Sequence, residues 1–378
     1  MGLFASRFVR FSLLCVVLIG FCGGVISCTD TKSSFDRETL FLDLSKNVVI
    51  PGYEAFSKQA TALEEETKTF CQGPAADGLK KLQEQWLETK KIWRQVQAFR
   101  FGPAMYLSAK AHIDDWPVKT NLIEQELEKT TPWDDKAIDA LGSSRRGLAT
   151  LEYLMFSNEK SDDDILALWD IKEAKGKQRC AFAIGVAHGV VRRVELILAD
   201  WKGKAGAAVI ENFTSPGQSA AIGPQYRAVD HLINEFIYIA NPSSDVLLGQ
   251  PLGNNDGGTP KPDALEALRS GSSLAHVKAF MNGLKVLYLG EFGTNKGQGM
   301  SALVAHMHAE TDTRLKQELE AALKALDAIS VPLSKAITEQ RDAVKAAYDA
   351  IKLVEQTLSI DVVSHLGVTV TFSDNDGD

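Results

Sequence analysis

Cysteine is scarce in this sequence: there are five in 378 residues, and three of them, Cys15, Cys22 and Cys28, fall in the first 28 positions. Only Cys71 and Cys180 remain for the rest of the chain, and no Cys-x-x-Cys spacing occurs, so the common thiolate metal sites are excluded. Whether these two thiols pair stays open, because a disulfide needs Cα atoms within ~7 Å of each other. His-Glu-x-x-His is missing too, and with it the usual zinc-peptidase helix. Positive charge is short: 41 Lys and Arg stand against 49 Asp and Glu, a net charge of −8 that argues against a nucleic-acid partner. Beyond the N-terminus no apolar run reaches the ~20 residues that span a bilayer. Strand patterning is thin, with residues 47–50 and 367–372 as marginal candidates for pairing.

What is present starts with an export signal. Arg7 and Arg10 precede an apolar stretch over 11–21, and small residues then lead to Cys28. The stretch is short for a spanning helix, and Gly20, Gly23 and Gly24 interrupt its end, so a removable signal over 1–27 is the better reading. Val25-Ile26-Ser27-Cys28 resembles a lipobox, with Cys28 as the lipidated residue; an ordinary signal beside a chance cysteine is the alternative. Thr29 is not the aspartate that resembles an inner-membrane retention signal. The expectation is therefore an envelope lipoprotein, with the outer membrane favoured, attached through several acyl chains at about 0.8 kcal/mol per buried methylene. Residues 28–38 are polar and read as a tether.

From there helical periodicity dominates. Over 78–101, Leu79, Leu82, Trp86, Trp93 and Val96 form one stripe, while Lys80, Lys81, Glu84 and Lys90 are expected to face water. Further helices are expected over 147–156, 177–201, 225–239, 274–289, 299–329 and 331–358, with Pro332 between the last two. Residues 103–134 read as a long connection, and 241–262, rich in Gly, Pro, Asn and Ser, as a loop. The fold class is all-α, two helical bundles in one chain, over 39–214 and 215–378. Phe101-Gly102 and Phe292-Gly293, each followed by a helix opening Gly-Leu or Gly-Met, suggest an internal duplication.

Glu152 is the most informative single residue. Leu151, Tyr153, Leu154, Met155 and Phe156 surround it on a helix, so its carboxylate has little access to water and would cost several kcal/mol if buried unpaired. It needs an arginine such as Arg100, Arg145 or Arg146, a metal ion, or a retained proton.

This segment resembles the imelysin family of exported bacterial proteins. So do Phe99-Arg100-Phe101-Gly102-Pro103 and Asp115-Trp116-Pro117 before it, and Leu248-Gly249-Gln250-Pro251-Leu252-Gly253 and Leu366-Gly367-Val368-Thr369-Val370-Thr371-Phe372 after it. The resemblance implies two helical bundles with a site between them, in proteins associated with iron uptake, a family first described as containing a metallopeptidase. Its signature is Gly-x-His-x-x-Glu, whose histidine and glutamate share a helix face and suit one metal ion. Gly147 and Glu152 match, but Ala149 stands at the histidine, and a methyl group neither ligates metal nor moves a proton.

On that resemblance the expected site comprises Glu152, Arg100, Gly147, Trp116 and Asp115, with Glu152 as the candidate ligand for iron or another divalent metal. His112, His306 and His308 are candidates for a replacement imidazole, each more simply an ordinary surface or core histidine. Ser272-Ser273 reads as a helix cap, and the tail over 373–378, which lacks a closing glutamate, as solvated rather than calcium-binding. The expected function is a lipid-anchored binding protein for iron or an iron chelate, working beside an envelope transporter. The alternatives are a metallopeptidase with a non-motif histidine and a non-catalytic scaffold.

Overall fold

A computed structural model describes residues 35–130, 132–203 and 225–370, with side chains from 229 onward in the last stretch. The signal, Cys28 and the acidic tail lie outside the described residues, as does the side chain of Tyr226. Among the described residues no helix is long and apolar enough to cross a membrane.

The described chain opens with a helix at Arg37–Asp43, capped by the Asp36 carboxylate on the Thr39 amide at 3.0 Å. It passes through a π-helical stretch, Leu44–Val49, directly into α1 (Ile50–Gln72), so residues 47–50, a marginal candidate for strand pairing, are helical. Then follow α2 (Ala76–Val96), α3 (Gly147–Met155) and α4 (Ala174–Lys202), which complete the first bundle. Leu79, Leu82, Trp86, Trp93 and Val96 are buried on α2 as their spacing requires. Lys80, Lys81 and Glu84 are exposed as expected, but Lys90 is not: it is 1% exposed. A disulfide joins Cys71 at the end of α1 to Cys180 on α4, with Cα atoms 5.5 Å apart, which settles the pairing left open by the sequence.

The second bundle holds α5 (Gln225–Asn241), α6 (Ser273–Leu289), α7 (Met300–Met307), α8 (Ala309–Asp327) and α9 (Arg341–Gln356). The expected loop over 241–262 is half wrong. A π-helical stretch, Pro242–Gly249, and a turn of α-helix, Gln250–Leu252, extend α5 before the loop begins, because Leu247, Leu248 and Leu252 are drawn into the core. The expected helix over 299–329 breaks at His308, whose ring Nδ1 accepts from the Thr311 amide and so caps α8. The connection over 103–134 carries short helices at Pro103–Tyr106, Ala109–Ile113 and Thr120–Leu127. The two-residue strands Glu291–Phe292 and Asn295–Lys296 form a small hairpin that sequence reading did not anticipate.

The bundles meet where α2 packs on α6. Gly283 makes the crossing close: a Cβ there would lie 2.1 Å from the Gln95 carbonyl oxygen and 3.0 Å from the Ala98 Cβ. This junction positions the charged groups described next.

Candidate functional site at the bundle junction

Lys90 and Arg94 are one turn apart on α2 and point into the junction. The Lys90 ammonium bonds both carboxylate oxygens of Asp114 and lies 3.2 Å from Glu266 Oε1. Arg94 Nη1 lies 3.3 Å from Glu266 Oε2 and donates to Gln97 Oε1 at 3.0 Å, while its guanidinium sits 4.6 Å over the Phe280 ring. Trp93 Nε1 donates to Asp114 Oδ2 at 3.0 Å. All four charged groups are buried, and two cations face two carboxylates, so the cluster is close to neutral. Burial pushes the Asp114 carboxyl upward despite Lys90. Burial acts on Glu266 in the same way, but Arg94 and then Lys90 overcome it and hold that carboxyl at about 2.

Asp114 reaches this cluster because Gly147 lets its strand-like backbone come close. Gly147 has φ +79°, pairs with Asp114 in an isolated bridge, and leaves space where a Cβ would sit 2.4 Å from the Ile113 carbonyl oxygen. The motif glycine thus acts through the backbone. Trp86 Nε1 and Gln83 Nε2 donate to the Leu148 and Met155 carbonyls, each at 2.9 Å, fastening α3 to α2.

Glu152, on α3, is 3% exposed. Its Oε1 accepts from the Ser270 amide at 3.0 Å and the Ser270 hydroxyl at 2.8 Å. Burial raises its pKa, opposed first by the Ser270 amide and then by the charge of Lys90. From Ser270 the hydrogen bonding continues to the Ser272 hydroxyl at 2.7 Å and then to His276 Nε2 at 3.0 Å. A buried carboxyl and a buried imidazole are therefore joined through two hydroxyls. Burial, and then Lys90, drive the His276 pKa well below its ordinary value, so the ring is neutral, and Nδ1 has no hydrogen-bond partner among the described residues.

A cavity of about 170 Å³ borders the cluster, with Arg94, Lys110, Asp114, Trp116, Tyr238 and Glu266 in its wall. Trp116 is thus at the cavity, and its bond to Pro117 is cis. Asp115 is half-buried, outside this wall, and acts electrostatically on Arg146.

Arg100 does not pair with Glu152. Its Nε lies 3.4 Å from Glu235 Oε2 and its guanidinium 3.9 Å from the centre of the Tyr238 ring, because Glu235 and Tyr238 on α5 satisfy it first. Arg145 pairs with Glu126, and Arg146 donates to the Ala111 and Asp139 carbonyls at 3.0 and 3.1 Å. His112 sits between Arg193 and Arg146, at 2.7 and 3.3 Å; burial and then those cations lower its pKa to about 4. His306 packs on Phe35, and His308 stacks on His365 with ring centres 4.0 Å apart. The imidazole linked to Glu152 is instead His276. Ser272 is not the side-chain cap expected, since its hydroxyl is engaged in the relay.

Lys90, Arg94, Asp114, Glu266, Ser270 and His276 escaped the sequence reading. Two carried a signal: Lys90 falls on the apolar stripe, four after Trp86 and three before Trp93, and His276 stands four before Phe280 on the buried face of α6. The residues present do not fit a resident metal ion. Ala149 is at the motif histidine, Asp114 and Glu266 are engaged by cations, and no group of three His, Cys, Asp or Glu among the described residues is placed to hold one.

Comparisons with known proteins agree with this architecture. The chain is 25% identical over 358 residues to iron-regulated protein A of Synechococcus elongatus, covering 90% of this chain and 91% of that one. A crystal structure described as an iron-regulated protein A precursor from Parabacteroides distasonis superposes with a TM-score of 0.73 at 19% identity, over 89% of this chain and 97% of the other. An imelysin-like protein from Psychrobacter arcticum gives 0.68 at 18% identity, with the same shares covered. These two likenesses establish the shared fold. The imelysin (peptidase M75) family pattern matches residues 49–360, and the chain belongs to the imelysin family.

Proposed function

We propose that this protein is a lipid-anchored binding component of the bacterial cell envelope, an accessory to iron uptake whose ligand sits in the cavity between the two bundles. The observation that carries the reading is the buried, charge-balanced cluster of Lys90, Arg94, Asp114 and Glu266 beside that cavity. Four desolvated charges are a poor way to stabilise a bundle junction, since apolar residues of similar volume do as well or better. Their retention is accounted for by a ligand. Asp114 and Glu266 in the same wall are already matched by Lys90 and Arg94, so Lys110 beside Trp116 and Tyr238 tips the cavity toward an anionic iron complex over a bare cation. A cavity of about 170 Å³ has the volume of about six waters, so it takes a small complex or one anionic arm of a larger one. The names of the relatives and the family support the link to iron.

The test is a melting curve of the purified mature protein with ferric citrate, haem and a hydroxamate siderophore complex. A ligand at 100 times its Kd adds about 2.7 kcal/mol to stability, and Arg94→Gln removes the gain. If all three leave the curve unmoved, the reading is lost. For the anchor, Cys28→Ser is expected to move the protein from the membrane to the soluble periplasmic fraction.

Binding rather than cleavage is proposed because Ala149 supplies no imidazole beside Glu152. The relay to His276 is the one observation favouring peptidase chemistry. Casein cleavage by zinc- or iron-supplemented protein, abolished in Glu152→Ala, would establish it.

A further inference from the structure

A second cleft, of about 460 Å³, opens where Tyr153 leaves α3. At its centre the Glu124 carboxylate accepts from the Tyr153 hydroxyl at 3.0 Å, Arg179 Nη2 at 3.1 Å and Lys175 Nζ at 2.9 Å. Burial raises the Glu124 pKa, but these donors, Lys175 foremost, bring it below the ordinary value, so the carboxylate is charged. Arg179 is 3% exposed, is held also by the Leu154 carbonyl at 3.3 Å, and leaves Nε without a hydrogen-bond partner among the described residues.

Across the cleft Arg269 stands 5.3 Å over the Tyr153 ring, and its charge also acts on the buried Glu152. Lys175, Arg179 and Arg269 thus line the cleft with the one Glu124 carboxylate, which Lys175 and Arg179 contact, while Lys160 and Glu159 in the same wall offset each other. That local excess of positive charge occurs in a chain whose net charge is −8. Phe156, Ile165 and Leu168 form an apolar wall beside it.

We propose that this cleft binds an organic anion, a carboxylate carried on an apolar or aromatic frame, with Arg269 and Lys175 gripping the carboxylate and Phe156 and Leu168 receiving the frame. A guanidinium resting on an aromatic face keeps its outer N–H groups free to meet a carboxylate. The apolar wall selects against small inorganic anions, which gain nothing from it. The cleft shares no wall residue with the junction cavity and does not depend on the iron reading, although Arg269 also acts on Glu152.

The probe is benzoate, set against its neutral isostere benzamide and against inorganic phosphate, in calorimetric and ligand-observed NMR titrations of the mature protein. Benzoate is expected to bind saturably at millimolar concentration or below. Benzamide, phosphate and the Arg269→Gln variant should each weaken binding about ten-fold or more, the worth of one charge-assisted pair. Lys110→Gln, which changes the junction cavity, should leave benzoate binding unchanged. An unaltered melting curve for Arg269→Gln separates lost binding from lost folding. The proposal is overturned if benzoate fails to saturate, if benzamide or phosphate binds as well, if Arg269→Gln binds as wild type, or if Lys110→Gln rather than Arg269→Gln abolishes binding.

Discussion

Ser270 gives both its backbone amide and its hydroxyl to one oxygen of Glu152, so a loop of the second bundle neutralises part of the charge of a helix in the first. Two neutral donors do less than an arginine would, and the Glu152 pKa is raised by burial.

The sign of the pH dependence follows. A carboxyl whose folded pKa lies above its unfolded value binds more protons in the folded state, so stability falls as pH rises from the unfolded value of 4.5 through the raised one. Glu152→Gln keeps the shape and removes the titration. In melting curves from pH 5 to pH 8 the variant should gain on wild type as pH rises; a gap that stays constant across that range would show that Glu152 is unperturbed.

Lys90 and Asp114 form the tightest part of the junction cluster. Lys90→Met leaves Asp114 and Glu266 short of a counter-charge and should cost about 3–5 kcal/mol in urea unfolding. Adding Asp114→Asn removes one of the stranded carboxylates, so the double variant should be less destabilised than the sum of the two singles. Simple additivity would mean that the two groups do not depend on each other.

His112 titrates in the opposite sense. Burial and then Arg146 and Arg193 lower its pKa from 6.5 to about 4, so the folded state resists a proton that the unfolded chain accepts. Its neutral form supports folding above pH 6.5, and that support is lost as pH falls toward 4. Because the ring is only partly buried, screening limits the effect to about 1–2 kcal/mol. His112→Gln should narrow the difference in melting temperature between pH 7 and pH 5.

The all-helical class was legible because apolar stripes repeat at helical spacing, as on α2, where Trp86 and Trp93 are buried as expected. Glu152 was legible for a related reason: a lone acid among apolar neighbours must be buried. Its partner was not. Ser270 lies 118 residues away and is brought in by the fold of a loop, which no local pattern encodes. Lys90 was misplaced because charge was weighed above position on the stripe. Asp115 was chosen over Asp114, although the Gly147 bridge turns only Asp114 inward.

Gly283 measures how closely the bundles must approach. Gly283→Ala puts a Cβ 2.1 Å from the Gln95 carbonyl oxygen, which is backbone and cannot swing aside. The helices must separate, at a cost of about 1–3 kcal/mol for overpacking. Separation also pulls α6, which carries His276, away from α2, which carries Lys90 and Arg94. Ligand-dependent stabilisation should therefore fall along with intrinsic stability. In Ala279→Gly, where a methyl is removed from the same helix instead, stability should fall while the ligand response is retained.

The disulfide works by another route. Cys71 and Cys180 are 109 residues apart, and in the chain-entropy account a loop near 100 residues restricts the unfolded state by about 4.7 kcal/mol. The bond links α1 to α4 within the first bundle, and neither cysteine belongs to the junction cluster or its cavity wall. Replacing both cysteines by alanine should therefore lower stability by about 2–5 kcal/mol in urea unfolding, and a reductant should do the same to wild type while leaving the double variant unaffected. Ligand response at the junction, read as the melting shift with ferric citrate, should survive in the double variant wherever it remains folded. If the double variant keeps its stability but loses that shift, the disulfide is setting the geometry of the site rather than restricting the unfolded chain.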